Sequence, residues 1–538
     1  MADSLRDVRV NVKRRSGYDK SYKNILTTKV GTITPIAYKL LIPNSDFNLK
    51  VAISASLPPL ASDTFMRAAL KVEAFAVPWR LLYGGVESWL TGEPVYKSSD
   101  GEAVQTRAKL PRIIVSFEQV DHGFDMDADQ KPFFARGSLM DYLGFRGAPI
   151  QPEDDTSIYL NGLLPLCYHR IWNDWYRNRK VQMPCFGRPT YGSGTSPDHN
   201  RLSELPYIAN DAIYNMTIDQ EFFDGVALGS LRQRNYGSDY FTECTPYAQF
   251  GSVQKVTIDA SDQFTIAALR AANAMQMFEE KNNISSPALQ DYVKVNYGAN
   301  LSSGIAQRSI YLGSASFDVY SKGVNAQSDV TATNNPFTSV GARYGNAFAS
   351  GSDFIVKGHV DEPCYLMVMA TLVPEANYAY GIKRDLTVFT EDGSLMDMPN
   401  PAFELIGNEP VYSYEVGDYD NSQFDTIFGF HPRYTWHKTA YNEVHGLLLE
   451  GESLEAFVAQ RAIKRNSELG SDFLEIATTD LDNVTAVTAD LSNYGVMIDS
   501  FIQLFVSEPL GESSLPSLVD PAAEHGASVY MRRNGSRL

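Results

Sequence analysis

The run CYLMVMATLV, residues 364–373, is apolar at almost every position. A stretch of that length and composition is what a strand covered on both faces requires. Far upstream, ALKVEAFAV (69–77) alternates instead, so that Leu70, Val72, Ala74 and Ala76 share one face. Period-two alternation is the mark of a strand with one face on a core. GTITPIAYKLLIP (31–43) and FNLKVAISASL (47–57) read as two further strands, divided by Pro and Asn-Ser-Asp turn chemistry. GVMIDSFIQLFV (495–506) alternates again, with Ile498, Ile502, Leu504 and Val506 on one side. Strand blocks near opposite ends of a chain must meet in space to bury their apolar faces. The strands at 31–77 and 354–506 therefore predict one β-sandwich interrupted by an excursion, not a string of independent domains.

Helical pattern lies mainly inside that excursion. LLPLCYHRIWNDWYRNRK (163–180) places Trp172 and Trp175 one turn apart. TIAALRAANAMQMFEEKN (265–282) opens on Thr265 as an N-cap and is rich in Ala, Met and Leu. SPALQDYVKVNYG (286–298) has Pro287 near its first turn and Gly298 as a stop. SLEAFVAQRAIKR (453–465), capped by Ser453, predicts a fourth helix. Two stretches, 185–200 and 321–352, are rich in Gly, Ser, Asn and Thr and read as long surface loops.

The formal charge is −18, which argues against a surface that binds nucleic acid or anionic membrane everywhere. Its distribution is uneven. Residues 1–30 hold eight Lys or Arg against three Asp, a local +5, so the remainder carries −23. The chain closes on YMRRNGSRL, with Arg532, Arg533 and Arg537. Basic ends on an acidic body read as electrostatic arms; ordinary solvated termini are the alternative. Cys167, Cys185, Cys244 and Cys364 are scattered without a CxxC pair, so neither structural zinc nor a disulfide framework is implied, and a reducing compartment fits. No apolar leader and no run of eighteen apolar residues is present, so neither export nor a membrane span is expected.

A search for an active site finds little. There is no P-loop, G-x-S-x-G, H-E-x-x-H or G-x-G-x-x-G. DMDAD (125–129) begins like a calcium loop, but Gln130 and Arg136 stand where that loop needs Gly and Glu. PEDD (152–155) reads as an exposed acidic turn. FGFHPRYTWHKTAYNEVHG (428–446) gathers three of the eight histidines, yet the spacings from His431 to His437 to His445 put no two on one helical turn. Pro432 and Gly446 also interrupt regular structure there. The segment reads as a packed aromatic and arginine-rich block of the kind found at protein–protein contacts, not as a metal or acid–base centre.

Four segments together resemble the major capsid protein of the microviruses, small single-stranded-DNA phages, and in particular its gokushovirus branch. IWNDWYRN (171–178) is similar to that family's Ile-Trp-Asn-Glu-Trp-Phe-Arg-Asp helix. DYFTECTPYAQFG (239–251) resembles its Asp-Tyr-Phe-Thr followed by a proline-aromatic-glutamine turn. TLVPEANYAYGI (371–382) resembles a strand exit of the type Val-x-Pro-x-x-x-Tyr-x-x-Gly. FGFHPRYTWHK (428–438) resembles Phe-Gly-Tyr-Gln-Pro-Arg-Tyr, with VHG (444–446) just after it. Each motif is short, and their shared order over roughly residues 31–510 carries the resemblance. His431 stands where the family often has Gln, and the loops at 185–200 and 321–352 and the basic tail fall outside the match.

The resemblance implies an eight-stranded antiparallel jelly roll with long helix-containing insertions. Together with the charge distribution, which marks a basic arm at 1–30 and a tail at 511–538, it implies one capsid domain over 31–510 with its largest excursion at about 79–350. It implies a structural coat protein without enzymatic activity or cofactor, found in the virion and assembled in the bacterial host cytoplasm. Copies would form a small T=1 icosahedral shell around circular single-stranded DNA, with a small basic DNA-binding protein, a minor pilot protein and an unidentified host receptor as partners. Arg6, Arg9, Lys13, Arg14 and Arg15 are the candidates for DNA phosphate contact. Trp172, Trp175, Arg177, Arg433, Tyr434 and Trp436 are the candidates for packing or subunit contact. A carbohydrate-binding β-sandwich would call for an export signal, and a β-fold hydrolase for a clustered acid–base pair; the sequence offers neither.

Overall fold

The computed structural model describes residues 15–62, 64–83, 86–91, 95–96, 103–104, 110–116, 137–144, 157–182, 215–216, 229–249, 266–286, 288–302, 307–325, 343–387, 397–404, 407–417, 426–461, 468–486 and 495–510. In chain order the first strands are β1 (Ser16–Asp19), β2 (Tyr22–Thr28), β3 (Thr34–Leu41), β4 (Ser45–Ser56) and β5 (Ala68–Pro78). Short pairs follow in the excursion: β6 (Val95–Tyr96), β7 (Ala103–Val104), β8 (Arg112–Ser116), β9 (Ser157–Asn161) and β10 (Asn215–Met216). Then come β11 (Ile310–Asp318), β12 (Tyr320–Asn325), β13 (Arg343–Val360), β14 (Cys364–Pro374), β15 (Asn408–Tyr412), β16 (Ile427–Pro432) and β17 (Val496–Glu508). Three helices matter below: α1 (Leu163–Ile171), α2 (Ile266–Ile284) and α3 (Leu289–Tyr297).

Two antiparallel sheets make a β-sandwich. One runs β1-β17-β4-β13-β12, with β2 also paired to β17; the other runs β11-β5-β14-β3. Alternation fixes which residues face inward. In β4, Phe47, Leu49, Val51, Ile53 and Ala55 are buried, and in β17 so are Ile498, Ile502, Leu504 and Val506. They meet Leu70, Val72, Ala74 and Ala76 of β5 and Leu366, Val368, Ala370 and Leu372 of β14 in one core between the sheets. Burying each Val, Leu, Ile or Phe side chain among them contributes roughly 1.5–3 kcal/mol.

The smaller sheet is covered on its other face as well. Phe75 and Val77 of β5 and Tyr365, Met367 and Met369 of β14 pack against Leu163, Leu166, Tyr168, Ile171 and Trp172. This second core accounts for the unbroken apolar run of β14: alternation disappears because neither face meets water. The larger sheet has no such cover from the described residues over much of its outer face, where Ile25, Phe348, Ile355, Met497 and Phe501 are exposed.

Three sequence expectations change. Among the described residues the sandwich already includes Ser16, because β1 and β2 pair antiparallel with β17, so the latter half of the expected arm at 1–30 belongs to a sheet. The excursion ends before Ile310, not near 350, since β11, β12 and the start of β13 all join the two sheets. The stretch 321–352, which holds most of β12 and the start of β13, reads as loop because its residues are small, and the packing shows why. A Cβ on Gly351 would sit 2.0 Å from the Phe317 ring, and one on Gly345 2.4 Å from the Ser62 carbonyl oxygen. Glycine in a strand is favoured where another group approaches this closely. The helix expected over 453–465 is, among its described residues, only a 3-10 turn at Glu455–Phe457. Arg461 there is taken up by tertiary contacts: it donates to the Tyr378 hydroxyl at 2.7 Å and lies 4.0 Å over the Phe473 ring and 4.4 Å over that of Tyr236.

Candidate functional site

The tryptophan block begins as helix α1 and ends in a wider turn. The Arg177 amide donates to the Trp172 carbonyl at 3.0 Å, five residues back, which makes Trp172–Tyr176 a π-helical turn. Such single turns recur where a helix must re-aim its side chains. Trp172 is buried against the smaller sheet, and its indole Nε1 donates to the Gln233 carbonyl at 3.2 Å. Trp175 Nε1 donates to the Ser309 carbonyl and hydroxyl oxygens at 3.1 and 3.0 Å, under the Arg308 guanidinium at 3.8 Å. Tyr176 donates its hydroxyl proton to Glu73, which also receives Arg234. Arg177 donates to the Gln182 carbonyl at 3.1 Å. These groups lock the excursion onto β5 and β11.

The histidine-rich block is likewise an internal joint. β16 pairs with β15 so that His431 stands opposite Glu409. His431 is buried, stacks on the Tyr240 ring at 5.1 Å and meets the Tyr240 carbonyl oxygen through Nε2. A carbonyl only accepts, so Nε2 carries the proton. Burial pushes the His431 pKa down, which favours the neutral ring. Tyr240 donates to Glu415 at 3.0 Å, and Arg384 Nη1 lies 3.3 Å from the same carboxylate. Burial raises the pKa values of both Glu415 and Glu409. Tyr434 is buried with φ of 68°, a conformation uncommon for a bulky residue, and its amide donates to Glu409 at 2.9 Å. The Arg433 guanidinium lies 5.8 Å over the Tyr434 ring. Trp436 packs half-buried against the cluster of Tyr240, Phe241, Tyr378, Val411 and Phe428.

The other histidines go elsewhere. His437 is exposed, and His445 is exposed beside Glu443 at 3.3 Å. Among the described residues no three His, Cys, Asp or Glu side chains gather as metal ligands. Cys167, Cys244 and Cys364 are buried free thiols, and burial pushes each thiol up.

Of the five basic residues expected to touch DNA, only Arg15 lies among the described residues. Its guanidinium pairs with Asp46, and Nε donates to the Ser507 hydroxyl at 2.8 Å. The residues that tie these blocks together were not singled out from the sequence: Glu73, Arg234, Tyr240, Arg308, Arg384, Glu415 and Arg461. Their partners lie tens to hundreds of positions away, which no local pattern encodes.

What the described geometry does is hold. Buried carboxylates are matched to arginines and tyrosines, rings stack, and a cavity beside the tryptophan block is lined by arginines. The sequence relationships agree with that reading. A family model described as "Capsid protein (F protein)" matches residues 7–501. The chain is 21% identical over 589 residues to the "Capsid protein VP1" of Chlamydia phage 1, covering 90% of this chain and 93% of the relative. It is 22% identical over 564 residues to the "Capsid protein VP1" of Spiroplasma virus 4, covering 94% of this chain and 95% of the relative.

Proposed function

We propose, from the premise that this chain belongs to the capsid protein (F protein) family, an account of how it builds its shell and what that shell holds. The protein is a major capsid protein of the microvirus type, a structural component of the virion and not an enzyme. Self-assembly follows from that family. The surfaces that join the copies are the open question, and helix α2 carries the reading.

Helix α2 is nineteen residues long, and its only buried residue is Asn283. Ile266 is 68% exposed, Leu269 51%, Met275 49% and Phe278 42%. Its described anchors to the subunit are polar: Asn283 Nδ2 donates to the Thr245 hydroxyl at 3.1 Å and to the Tyr247 carbonyl at 2.6 Å. Helices in proteins draw most of their stability from packing an apolar face. An apolar helix left this open by its own subunit is a contact surface, and neighbouring copies cover it. Trp436, at the half-buried edge of its cluster, and Arg433 lie in a second contact region. Trp172, Trp175, Arg177 and Tyr434 brace these surfaces from within.

The wiring supports a jelly roll. Order β2-β17-β4-β13 faces β3-β14-β5-β11, and successive strands β2, β3, β4 and β5 alternate between the sheets. A double Greek key, as in the jelly rolls of small viral coats, has this alternation. The shell is a T=1 icosahedron assembled in the host cytoplasm around circular single-stranded DNA. Because the chain is acidic, a small basic protein offsets part of the genome charge, and a minor pilot protein completes the particle. The arm residues Arg6, Arg9, Lys13 and Arg14 touch DNA phosphates; Arg15, already paired with Asp46, adds least.

Leu269→Gln with Phe278→Gln tests the assembly surface. The subunit should keep its melting temperature while particle yield collapses in sedimentation. Normal particle yield would remove α2 from the interface. For the arm, replacing all five basic residues by Gln should lower the DNA content of particles, and unchanged content would end that assignment.

A further inference from the structure

The excursion encloses a cavity of about 410 Å³ lined by Arg80, Arg170, Arg179 and Arg308, with Asp174 as its one lining carboxylate. Five separate segments deliver these groups: the turn after β5, helix α1, the π-helical turn and the residues beyond it, the start of α3, and the approach to β11. Asp174 is nearly saturated. Its Oδ2 accepts from Arg170 Nε at 3.0 Å and from the Ser309 amide and hydroxyl, each at 2.9 Å, while Oδ1 lies 3.6 Å from Arg179. Arg80 is held by Glu362 at 2.8 Å.

Arg308 is the group this arrangement does not satisfy. It packs on the Trp175 ring at 3.8 Å and reaches the Gln290 amide oxygen and the Asp174 backbone carbonyl, but among the described residues no carboxylate lies within ion-pair distance. Its buried Nε has no hydrogen-bond partner. Burial and the neighbouring Arg179 both disfavour its charge. A half-buried cation beside a like charge is disfavoured, and an anion that joins the two relieves both the burial and the repulsion.

We propose that this cavity binds a phosphate group. Four guanidiniums less Asp174, Glu362 and Asp291 leave +1, the charge that one phosphodiester neutralises. Planar guanidiniums match phosphate oxygens two at a time, and a mutually repelling pair is what a bridging oxyanion relieves. Helix α3 assists: Ala288 at its N-cap provides no side-chain acceptor, and Ala288, Leu289 and Gln290 line the cavity. Uncapped amides at a helix start add to an anion site built by other groups. The shared chemistry is a phosphate, from a free phosphate ion or from the backbone of the DNA that the capsid reading places inside the shell; for the second source the inference rests on that reading.

Titration calorimetry on the full-length protein at low ionic strength, with inorganic phosphate and then a short oligothymidylate, is the test. Saturable phosphate binding is expected, weakened about tenfold or more by Arg308→Gln with Arg179→Gln. Arg308→Lys keeps the charge but not the fork and should fall between, which guards against a merely unfolded double variant. An oligothymidylate that displaces phosphate makes the DNA backbone the source; phosphate binding without displacement makes it the free ion. Absence of phosphate binding, or equal competition by a glutamate-rich peptide, overturns the proposal. Particle formation is read separately by electron microscopy: normal particles from protein that binds no phosphate sink this cavity and leave the capsid reading standing. Failed particles from protein that binds phosphate do the reverse.

Discussion

The two sheets of the sandwich are built from similar residues and treated in opposite ways. The β11-β5-β14-β3 sheet is sealed twice, by the core between the sheets and by the tryptophan-bearing excursion. The sheet containing β17 and β4 is sealed once, and β17 still alternates buried and exposed positions through its first half. The chain thus uses its own insertion to finish one face, and the other face and α2 keep apolar side chains exposed, which the proposed assembly surfaces would use.

The largest effect that sharpens this contrast is a matched pair of truncations. Phe75→Ala removes a ring buried among Trp175, Tyr176 and Tyr311, with centroids 5.6–6.2 Å away. It should destabilise the isolated subunit by about 3–5 kcal/mol in urea. Phe501→Ala, on the open face of the other sheet, should cost the subunit under about 1 kcal/mol and appear instead as reduced assembly. Equal losses from both would break the comparison.

Next in size is the joint at His431. His431→Leu leaves the buried Tyr240 carbonyl without its donor and should cost about 1–3 kcal/mol. His431→Gln supplies an amide N–H to the same oxygen and should stay close to the native stability. The pH dependence follows from the lowered His431 pKa. The unfolded chain binds the proton more readily, so stability is present above the unfolded value and falls as pH drops below it. The Gln variant should lose that acid sensitivity in melting curves taken across the mildly acidic range.

The smallest effect is at the sheet edge. His359 is exposed, and hydrogen bonding to Asp46 raises its pKa. Its contribution is therefore complete below the unfolded pKa and disappears as pH rises through the folded value. His359→Gln should flatten a shallow decline in melting temperature near neutral pH.

Much of the doubly sealed sheet was legible in advance. The apolar run of β14 and the alternation of β5 state their burial outright, because a strand's covering is written in its own side chains. Alternation in β4 and β17 placed the core between the sheets for the same reason. The first half of β13 was not legible: Gly345 and Gly351 answer to Leu60, Ser62 and Phe317, so the small residues that mimic a loop record close packing from elsewhere. The candidate residues divide similarly. The aromatic blocks at 171–178 and 428–438 stood out by composition, whereas their partners Glu73, Arg308, Glu415 and Arg461 were invisible until the fold assembled them. The arginine-lined cavity is the extreme case, drawn from positions 80 to 308 with no two of its arginines closer than nine residues.

The central claim is that apolar surface left open by the subunit is closed by other copies. Hydroxyl-radical footprinting of assembled particles against dissociated subunits, read out at Met275, Met277, Phe278, Met497 and Phe501, tests it most directly. The account predicts strong protection on assembly at the α2 positions, weaker but measurable protection on the open sheet face, and no change at buried Trp172. Unchanged labelling of Met275, Met277 and Phe278 in intact particles would contradict it.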